Sequence, residues 1–249
     1  MTYKLVAFDL DGTLAESKSP ISDEMVETLD RLLEIVPVCV ITGGDESQLR
    51  EQVASRLKNT RQLHLMPTCG TKYLINDKDN WSLQYSENIS TIDTRRIVRA
   101  IVSTVMSLGM VEHEPFGNTI ESRGSQVTFS ALGQNAPLDR KLAWDPDGSK
   151  KKKLREALSQ LLPDFEVRSG GTTSIDITRK GIDKAYGIRK LAEITGILPS
   201  EMIFIGDRLD FDGNDHPVIY TGAVCIEITS PEETLSVINN LIENVLKEN

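Results

Sequence analysis

Short apolar runs alternate with segments of helical periodicity in the first third of the chain and again in its last third. Residues 5–8 and 202–205 are apolar runs too short for helices, and such runs are typical of parallel strands buried on both faces. Between the runs, apolar side chains recur at helical spacing, as they do over residues 23–34. This alternation predicts a doubly wound α/β domain. Its other predicted elements are strands at 36–41, 63–66 and 223–228, helices from the turn at 42–45 to about Leu57 and over 183–194, and a last helix starting at Pro231.

The pattern changes between the two ends, where strands and helices no longer alternate one by one. Two amphipathic segments predict helices, and alternating apolar and polar positions predict about four strands. We expect an α+β unit inserted into the parallel sheet. The predicted domains are therefore a split core of residues 1–85 and 182–249 and a cap of residues 86–181. Inside and next to the cap, the predicted helices cover 91–108 and 149–162, and the predicted strands cover 81–85, 118–123, 126–132, 165–168 and 173–178.

The composition narrows the class of partner. The chain has 249 residues, a formal net charge of −9 and a pI of about 5.0. Nucleic acids and anionic membranes are bound by basic surface, so this charge argues against both as partners. Cys39, Cys69 and Cys225 are far apart and form no CxxC pair, which is typical of reduced thiols. No apolar run resembles a signal peptide or approaches the length of a membrane span, so we expect a cytoplasmic protein.

Two carboxylates follow the first predicted strand, in the motif Asp9-Leu10-Asp11-Gly12-Thr13. Open α/β sheets bind their ligands at the carboxyl ends of their strands. Two acids followed by Gly-Thr suit a hard cation and a phosphate, since Asp9 can attack phosphorus and Asp11 can transfer protons. The alternative is a calcium-binding loop. An EF-hand requires further acids and a glutamate at the twelfth loop position, which here is Pro20.

This motif resembles the first motif of the haloacid dehalogenase (HAD) superfamily of phosphotransferases. The resemblance implies a Rossmann-like core, with a doubly wound parallel sheet, and an inserted α+β cap. It also implies that Asp9 is the nucleophile that becomes an aspartyl phosphate. Asp11 would protonate the leaving oxygen and then activate water or an acceptor hydroxyl.

Three further positions fit the phosphate site of this superfamily. Thr42 follows the second predicted strand, and the resemblance implies that it hydrogen-bonds the transferring phosphoryl group while Gly43 lets backbone N–H groups approach. Lys184, at the start of a predicted helix, would neutralise Asp9 and the phosphoryl charge. The alternatives are an ordinary turn residue or helix cap for Thr42 and a solvated surface lysine for Lys184.

A second acidic strand end, residues 206–215, resembles the metal-binding motif of the superfamily. Mg²⁺ prefers about six oxygen ligands, of which few are protein carboxylates. The alternative is an exposed acidic loop. The resemblance implies that the protein ligands are the Asp9 carboxylate, the Asp11 carbonyl and Asp207, that Asp212 and Asp215 surround them or hold a bound water, and that Asn214 lies there too and contacts the substrate.

The resemblance narrows to subgroup IIB (Cof-like) of the superfamily, and within it to the branch of eukaryotic-type phosphomannomutases and sugar-phosphate phosphatases. It implies a small-molecule sugar phosphate as the ligand and a monomer or a homodimer as the assembly. It also implies that Arg123, Ser174 and Asp176 of the cap bind the substrate; the alternative for Ser174 and Asp176 is an ordinary strand edge. The segments that carry this narrower resemblance are residues 169–176, 181–184, 212–216 and 229–234.

The cap departs from the mutase pattern in its arginines. Phosphomannomutases hold the distal phosphate of a hexose bisphosphate with several cap arginines, but Phe116 and Gln134 stand where two of them are expected. Each lost charge-assisted contact removes roughly 1.5–3 kcal/mol. We therefore predict a Mg²⁺-dependent phosphatase that hydrolyses a sugar phosphate through an aspartyl phosphate. The first alternative is a phosphomannomutase-type phosphosugar mutase, and the second is a non-catalytic sugar-phosphate-binding protein on the same fold.

Overall fold

The computed structural model describes residues 3–77, 80–211 and 213–246. The chain divides into two compact units, Met1–Ser86 together with Ile182–Asn249, and Glu87–Gly181. Asp212, one of the residues predicted around the metal, lies outside the described residues. Within the three described ranges, no helix is both long enough and apolar enough to cross a membrane.

A mixed sheet forms the centre of the first unit. Its strands are β1 (Leu5–Phe8), β2 (Val38–Ile41), β3 (Leu63–Met66), β4 (Lys72–Asp77), β5 (Asn80–Ser86), β10 (Met202–Gly206) and β11 (Val224–Glu227). Their order is β11-β10-β1-β2-β3-β4-β5, parallel from β11 to β3 and antiparallel from β3 to β5. In the central strand, Val6 pairs with Ile203 of β10 and Val38 of β2. The carboxyl ends of β10, β1 and β2 therefore meet at one edge.

Helices cover both faces of this sheet because its central strands are apolar throughout. The helices of this unit are α1 (Asp23–Leu33), α2 (Glu46–Leu49), α3 (Pro67–Gly70), α7 (Lys184–Thr195) and α8 (Pro231–Asn240). In β1, Val6 and Phe8 pack in a core with α1 and α8, whereas Leu5 and Ala7 pack on the opposite face with α7. Ser22 caps α1 by accepting a hydrogen bond from the Met25 N–H at 3.2 Å. The predicted doubly wound α/β fold is confirmed.

The second unit is an antiparallel sheet packed against helices. Its strands are β6 (Ile120–Ser122), β7 (Gln126–Ser130), β8 (Phe165–Ser169) and β9 (Ser174–Arg179), in the order β6-β7-β9-β8. Its helices are α4 (Thr91–Ser107), α5 (Leu138–Trp144) and α6 (Ser149–Leu161). Because side chains alternate along a strand, β7 turns Val127 and Phe129 into the core with α4 and α6 and turns Thr128 and Ser130 to the other face. This second face of the sheet is polar.

Three elements of the structure differ from the predictions. No strand was expected between residues 66 and 81, where β4 lies and pairs antiparallel to β3. The helix expected from the turn at 42–45 to about Leu57 is short, since α2 ends at Leu49 and continues as a wide π-type turn, Arg50–Ala54. Helix α5 was not expected, and it has no buried residue that would give an apolar periodicity.

Candidate active site

The edge where β10, β1 and β2 end carries the predicted catalytic residues of the first unit. Asp9 follows β1 directly, Thr42 follows β2, and Asp207 follows β10. Lys184 is the first residue of α7, which Asp183 caps by accepting from the Tyr186 N–H at 2.8 Å. Asp9, Thr42 and Asp207 therefore meet at one edge because their three strands are neighbours, and the start of α7 adds Lys184.

A buried lysine ties two of the acids together. The Lys184 Nζ lies 2.6 Å from the Asp9 Oδ1 and also pairs with the Asp215 Oδ1, and its side chain is fully buried. Burial lowers the pKa of the Lys184 ammonium, but the charges of Asp9 and Asp215 outweigh burial and hold its pKa above the ordinary value. Lys184 is therefore a fixed positive charge beside Asp9 and not a solvated surface lysine.

The Asp9 carboxyl is almost as deeply buried as the lysine that pairs with it. Burial raises the pKa of Asp9 to about 7; the Lys184 charge opposes this shift, and the Asp215 charge adds to it. Burial, together with the Asp215 charge, also raises the pKa of Asp207. For so poorly solvated a carboxyl, the Lys184 cation beside it is what favours the charged form.

The acidic cluster of this site fits a divalent cation. Asp9, Asp207 and Asp215 each offer a carboxylate oxygen, and these three atoms lie within 4.8 Å of one another. When all three acids are ionised, they and the one ammonium leave two negative charges in a largely buried cluster. Within the described residues, the buried Asp207 Oδ1 has no hydrogen-bond partner. An unpaired buried carboxylate oxygen is costly, and a cation such as Mg²⁺ would satisfy it.

Asp11 lies outside this cluster, and its carboxylate has its own partners. The Lys18 N–H donates to the Asp11 Oδ1 at 2.8 Å. The Gln48 side chain donates from Nε2 to the Asp11 Oδ2 at 3.1 Å. Each carboxylate oxygen of Asp11 thus receives one donor, which fixes the plane of the group. The metal contact predicted for Asp11 is its backbone carbonyl and not this carboxylate.

Glycines make room for the acids at two points. Gly12 has φ +87°, and a Cβ there would overlap with the Asp207 carboxylate. A Cβ at Gly206 would overlap with the Asp215 carboxylate. The Asp215 Oδ2 in turn accepts from the Arg208 N–H at 3.1 Å, which closes the loop between them. Gly206 and the Arg208 N–H therefore help to position the Asp215 carboxylate.

The loop after β2 is held by a left-handed turn after β3. The buried Thr42 Oγ1 accepts from the Gly44 N–H at 3.1 Å. The Thr68 N–H donates to the Gly44 carbonyl and the Cys69 N–H to the Thr42 carbonyl, both at 2.8 Å. Thr68, Cys69 and Gly70 have φ of 49°, 55° and 82°, a strained run for two non-glycine residues. Pro67 and Gly70 signal a turn here, but the sequence does not reveal its contacts with Thr42.

The remaining predicted residues of the first unit lie in the open part of the site. A Cβ at Gly43 would meet no atom within 4 Å, so space adjoins this glycine. Asn214 is exposed next to the buried Asp215. Gln48, which contacts Asp11, was not predicted as a site residue. A glutamine three residues after the helix cap Asp45 fits a capping box, so it signals the start of a helix and not a contact with Asp11.

Arg123, Ser174 and Asp176 lie in the second unit. The Asp176 Oδ1 accepts from the Thr128 Oγ1 at 2.7 Å and from the Gln126 Nε2 at 2.9 Å, and burial raises the pKa of Asp176. The Ser174 and Ser130 hydroxyls lie 3.2 Å apart. All of these residues except Arg123 lie on strands β7 and β9, and they give the sheet its polar face. Arg123 stands in the turn between β6 and β7.

The charge of Arg123 is shared with an acid. Its Nε lies 2.8 Å from the Glu121 Oε2. The same oxygen accepts from the Gln134 Nε2 at 3.3 Å. Gln134, which stands where the mutase pattern has another arginine, is therefore neutral. It hydrogen-bonds Glu121, the acid that offsets the charge of Arg123.

Known proteins resemble this chain over nearly its whole length. Residues 25–244 match the family model described as eukaryotic phosphomannomutase. The phosphomannomutase of Triticum aestivum is 27% identical over 243 residues, covering 93% of this chain and 92% of that protein. The phosphomannomutase of Solanum lycopersicum is 26% identical over 239 residues, covering 93% and 91%. A solved structure, a haloacid dehalogenase-like hydrolase from Bacteroides thetaiotaomicron, matches with a TM-score of 0.65 at 18% identity, covering 96% of this chain and 100% of that one.

Proposed function

Since this chain belongs to the eukaryotic phosphomannomutase family of the HAD superfamily, we propose that it transfers the phosphoryl group of a sugar phosphate through an aspartyl phosphate on Asp9. The observation that carries the proposal is the ion pair of Asp9 with the buried Lys184, beside Asp207 and Asp215. Such a constellation orients a nucleophile, and its excess negative charge would hold the divalent cation that phosphoryl oxygens need.

The reaction proceeds in two steps, formation and breakdown of the aspartyl phosphate. First, a carboxylate oxygen of Asp9 attacks phosphorus, the bond from phosphorus to the sugar oxygen breaks, and Asp11 gives that oxygen its proton. Second, Asp11 takes a proton from an acceptor hydroxyl, whose oxygen attacks phosphorus and releases the Asp9 carboxylate. Asp11 therefore serves first as acid and then as base.

The other residues hold charge in place. Lys184 bonds the Asp9 Oδ1, which fixes the rotation of the carboxylate and leaves its second oxygen to react. Asp215 keeps Lys184 charged and oriented. Thr42 and the N–H groups beside Gly43 would donate to the phosphoryl oxygens. Asp9, the Asp11 carbonyl and Asp207 would hold Mg²⁺, which would supply further positive charge to the phosphoryl group.

The family favours the mutase as the first candidate. Its description and the names of the curated relatives both refer to phosphomannomutase, so they support the mutase better than the hydrolase that the missing arginines suggest. In the mutase, the acceptor in the second step is another hydroxyl of the sugar. A phosphatase, in which the acceptor is water, is the second candidate. The specific observation in its favour is that Glu121 already pairs with Arg123 and that Gln134 carries no charge.

One incubation separates the two candidates. The protein is mixed with Mg²⁺, mannose 1-phosphate and a trace of hexose 1,6-bisphosphate, and ³¹P NMR follows mannose 6-phosphate and inorganic phosphate. We expect mannose 6-phosphate that forms only when the bisphosphate is present. Inorganic phosphate without the 6-phosphate would identify the phosphatase. No turnover of this or any other phosphate ester would contradict the proposal.

We expect Mg²⁺ to stabilise the protein through Asp207. At 100-fold excess over its dissociation constant, a ligand adds about 2.7 kcal/mol, which raises the Tm of a protein this size by roughly 5–10 °C. Chelation with EDTA should remove both this shift and the activity, and Asp207→Asn should lose most of the shift.

Asp210→Asn provides the matched control for this metal test. Asp210 lies on the same loop, is exposed and pairs with Arg208. The Asp210→Asn variant should keep the full Mg²⁺-dependent shift in Tm, measured by scanning calorimetry. A shift that survives Asp207→Asn unchanged would place the ion elsewhere.

A further inference from the structure

Gln48 connects the loop after β2 to Asp11, and we propose that it is a positioning residue for the acid–base step. This inference rests on the proposed function, since Gln48 would orient the Asp11 carboxyl, which protonates the leaving oxygen. Its Nε2 donates to the Asp11 Oδ2 at 3.1 Å. Gln48 is half-buried and lies on α2, whereas Asp11 lies in the turn after β1.

The chemistry of the neighbours defines which way the amide points. The Gln48 Nε2 lies near two acceptors, the Asp11 Oδ2 and, at 3.2 Å, the Gln52 Oε1. Reversing the amide would bring its carbonyl oxygen against the Asp11 carboxylate, and two acceptors would then repel one another. The N–H end therefore faces Asp11.

The backbone of Gln48 is fixed as firmly as its side chain. Asp45 caps α2, and its Oδ1 accepts from the Gln48 N–H at 2.9 Å. The amide end of Gln48 fills the space beside Gly44, because a Cβ at Gly44 would overlap with the Gln48 Oε1. The Gly44 N–H donates to the Thr42 Oγ1, and the Gly44 carbonyl accepts from the Thr68 N–H. The loop that Gln48 packs against is therefore fixed by its own hydrogen bonds. The donor to Asp11 is thus preorganised.

Two donors constrain the Asp11 carboxyl from opposite sides. The Lys18 N–H holds Oδ1, and Lys18 adopts a left-handed backbone (φ 62°) to do so. Without Gln48, one oxygen of Asp11 keeps its donor and the group can rotate about the bond to its Cβ. A general acid that contributes about 10²–10⁴-fold requires alignment with the leaving oxygen, so rotation should cost part of this factor.

The dependence of the rate on the leaving group tests this role. In Gln48→Met the side chain keeps its length and loses its donor. The kcat/KM of the ester that phosphorylates Asp9, which is hexose 1,6-bisphosphate for a mutase and a sugar monophosphate for a phosphatase, covers the steps up to departure of the leaving group. It therefore reports on Asp11 as acid. We expect kcat/KM for a sugar phosphate, whose alkoxide needs a proton, to fall about tenfold or more. For p-nitrophenyl phosphate, whose leaving group needs none, we expect less than about a threefold change.

Equal losses for both esters would mean that Gln48 only supports the fold, and the inference would be wrong. Gln52→Met is the matched control. It removes the second partner of the Gln48 amide without touching Asp11 and should leave the ratio of the two kcat/KM values unchanged. A wild-type chain that cleaves no phosphate ester would overturn the proposed function, and this inference with it.

A second variant, Gly44→Ala, disturbs the same contact between Gln48 and Asp11. The backbone of Gly44 is not in the left-handed region, so Ala can adopt it, but the new Cβ must displace the Gln48 amide. Gly44→Ala should therefore change the ester ratio in the same direction as Gln48→Met, and combining them should add little more. If Gln48→Met does not fold, Gly44→Ala carries the test. Fully additive effects, or an unchanged ratio in Gly44→Ala, would contradict the inference.

Discussion

Asp9→Asn should lower turnover of any phosphate ester by about four orders of magnitude or more, because no other residue can take the place of a covalent nucleophile. The fold should survive. Burial disfavours the charged form of Asp9, and Lys184 keeps its second partner Asp215, so we expect an unchanged or higher free energy of unfolding. Turnover is measured with the sugar phosphate, and stability is measured by urea denaturation.

Two checks make the Asp9→Asn result decisive. Mass spectrometry excludes deamidation of the new Asn back to Asp. Asp164→Asn removes the same charge from an exposed ion pair with Arg96 in the second unit and should keep full activity. Turnover above one per cent of wild type in undeamidated Asp9→Asn would remove Asp9 from the role of nucleophile.

Lys184→Met should destabilise the protein and inactivate it together. The substitution leaves Asp9 and Asp215 buried beside one another without their shared cation. Breaking a buried pair in this way costs about 3–5 kcal/mol. In the proposed mechanism Lys184 would also offset charge on the phosphoryl oxygens, so we expect kcat to fall by about 10²–10³-fold or more. Urea denaturation and steady-state kinetics measure the two effects.

The control for Lys184→Met lies on the same helix. Lys190 pairs with Glu193 at the surface, so Lys190→Met should cost less than about 1 kcal/mol and leave kcat unchanged. A loss of similar size in both variants would mean that the burial of Lys184 contributes little to stability. An active Lys184→Met variant would contradict its proposed role.

The parts of the fold that depend on strong local patterns were predictable. The uninterrupted apolar run of β1 requires burial on both faces, and the helix after Ser22 has a cap and a clear apolar face. These signals give the doubly wound core, and the motif at Asp9 gives the superfamily, which the family model confirms. The family consists of enzymes, so the prediction of an enzyme is confirmed as well.

The missed elements lack such signals. Helix α5 has only 7 residues, and its two leucines at helical spacing, Leu138 and Leu142, are both exposed, so the segment shows too short an apolar periodicity to predict a helix. β4 lies in an antiparallel hairpin with β5, in a region where the parallel rhythm stops. The contact of Gln48 with Asp11 depends on how α2 lies against the turn after β1, which is a tertiary property that spacing does not encode. The domain boundaries, the site roles, the oligomeric state and the cytoplasmic location stay predictions.

The position of β1 in its sheet also bears on how the protein is made. This first strand hydrogen-bonds to β2 on one side and to β10 on the other. On the ribosome, β2 emerges soon after β1, but β10 follows only after the whole second unit has been synthesised. Until then the nascent chain exposes one bare edge of an apolar strand, which is where chaperones bind and aggregation begins. Lys184 and Asp207 emerge in that same late stretch, so a nascent chain that ends before residue 184 lacks the cation that pairs with Asp9.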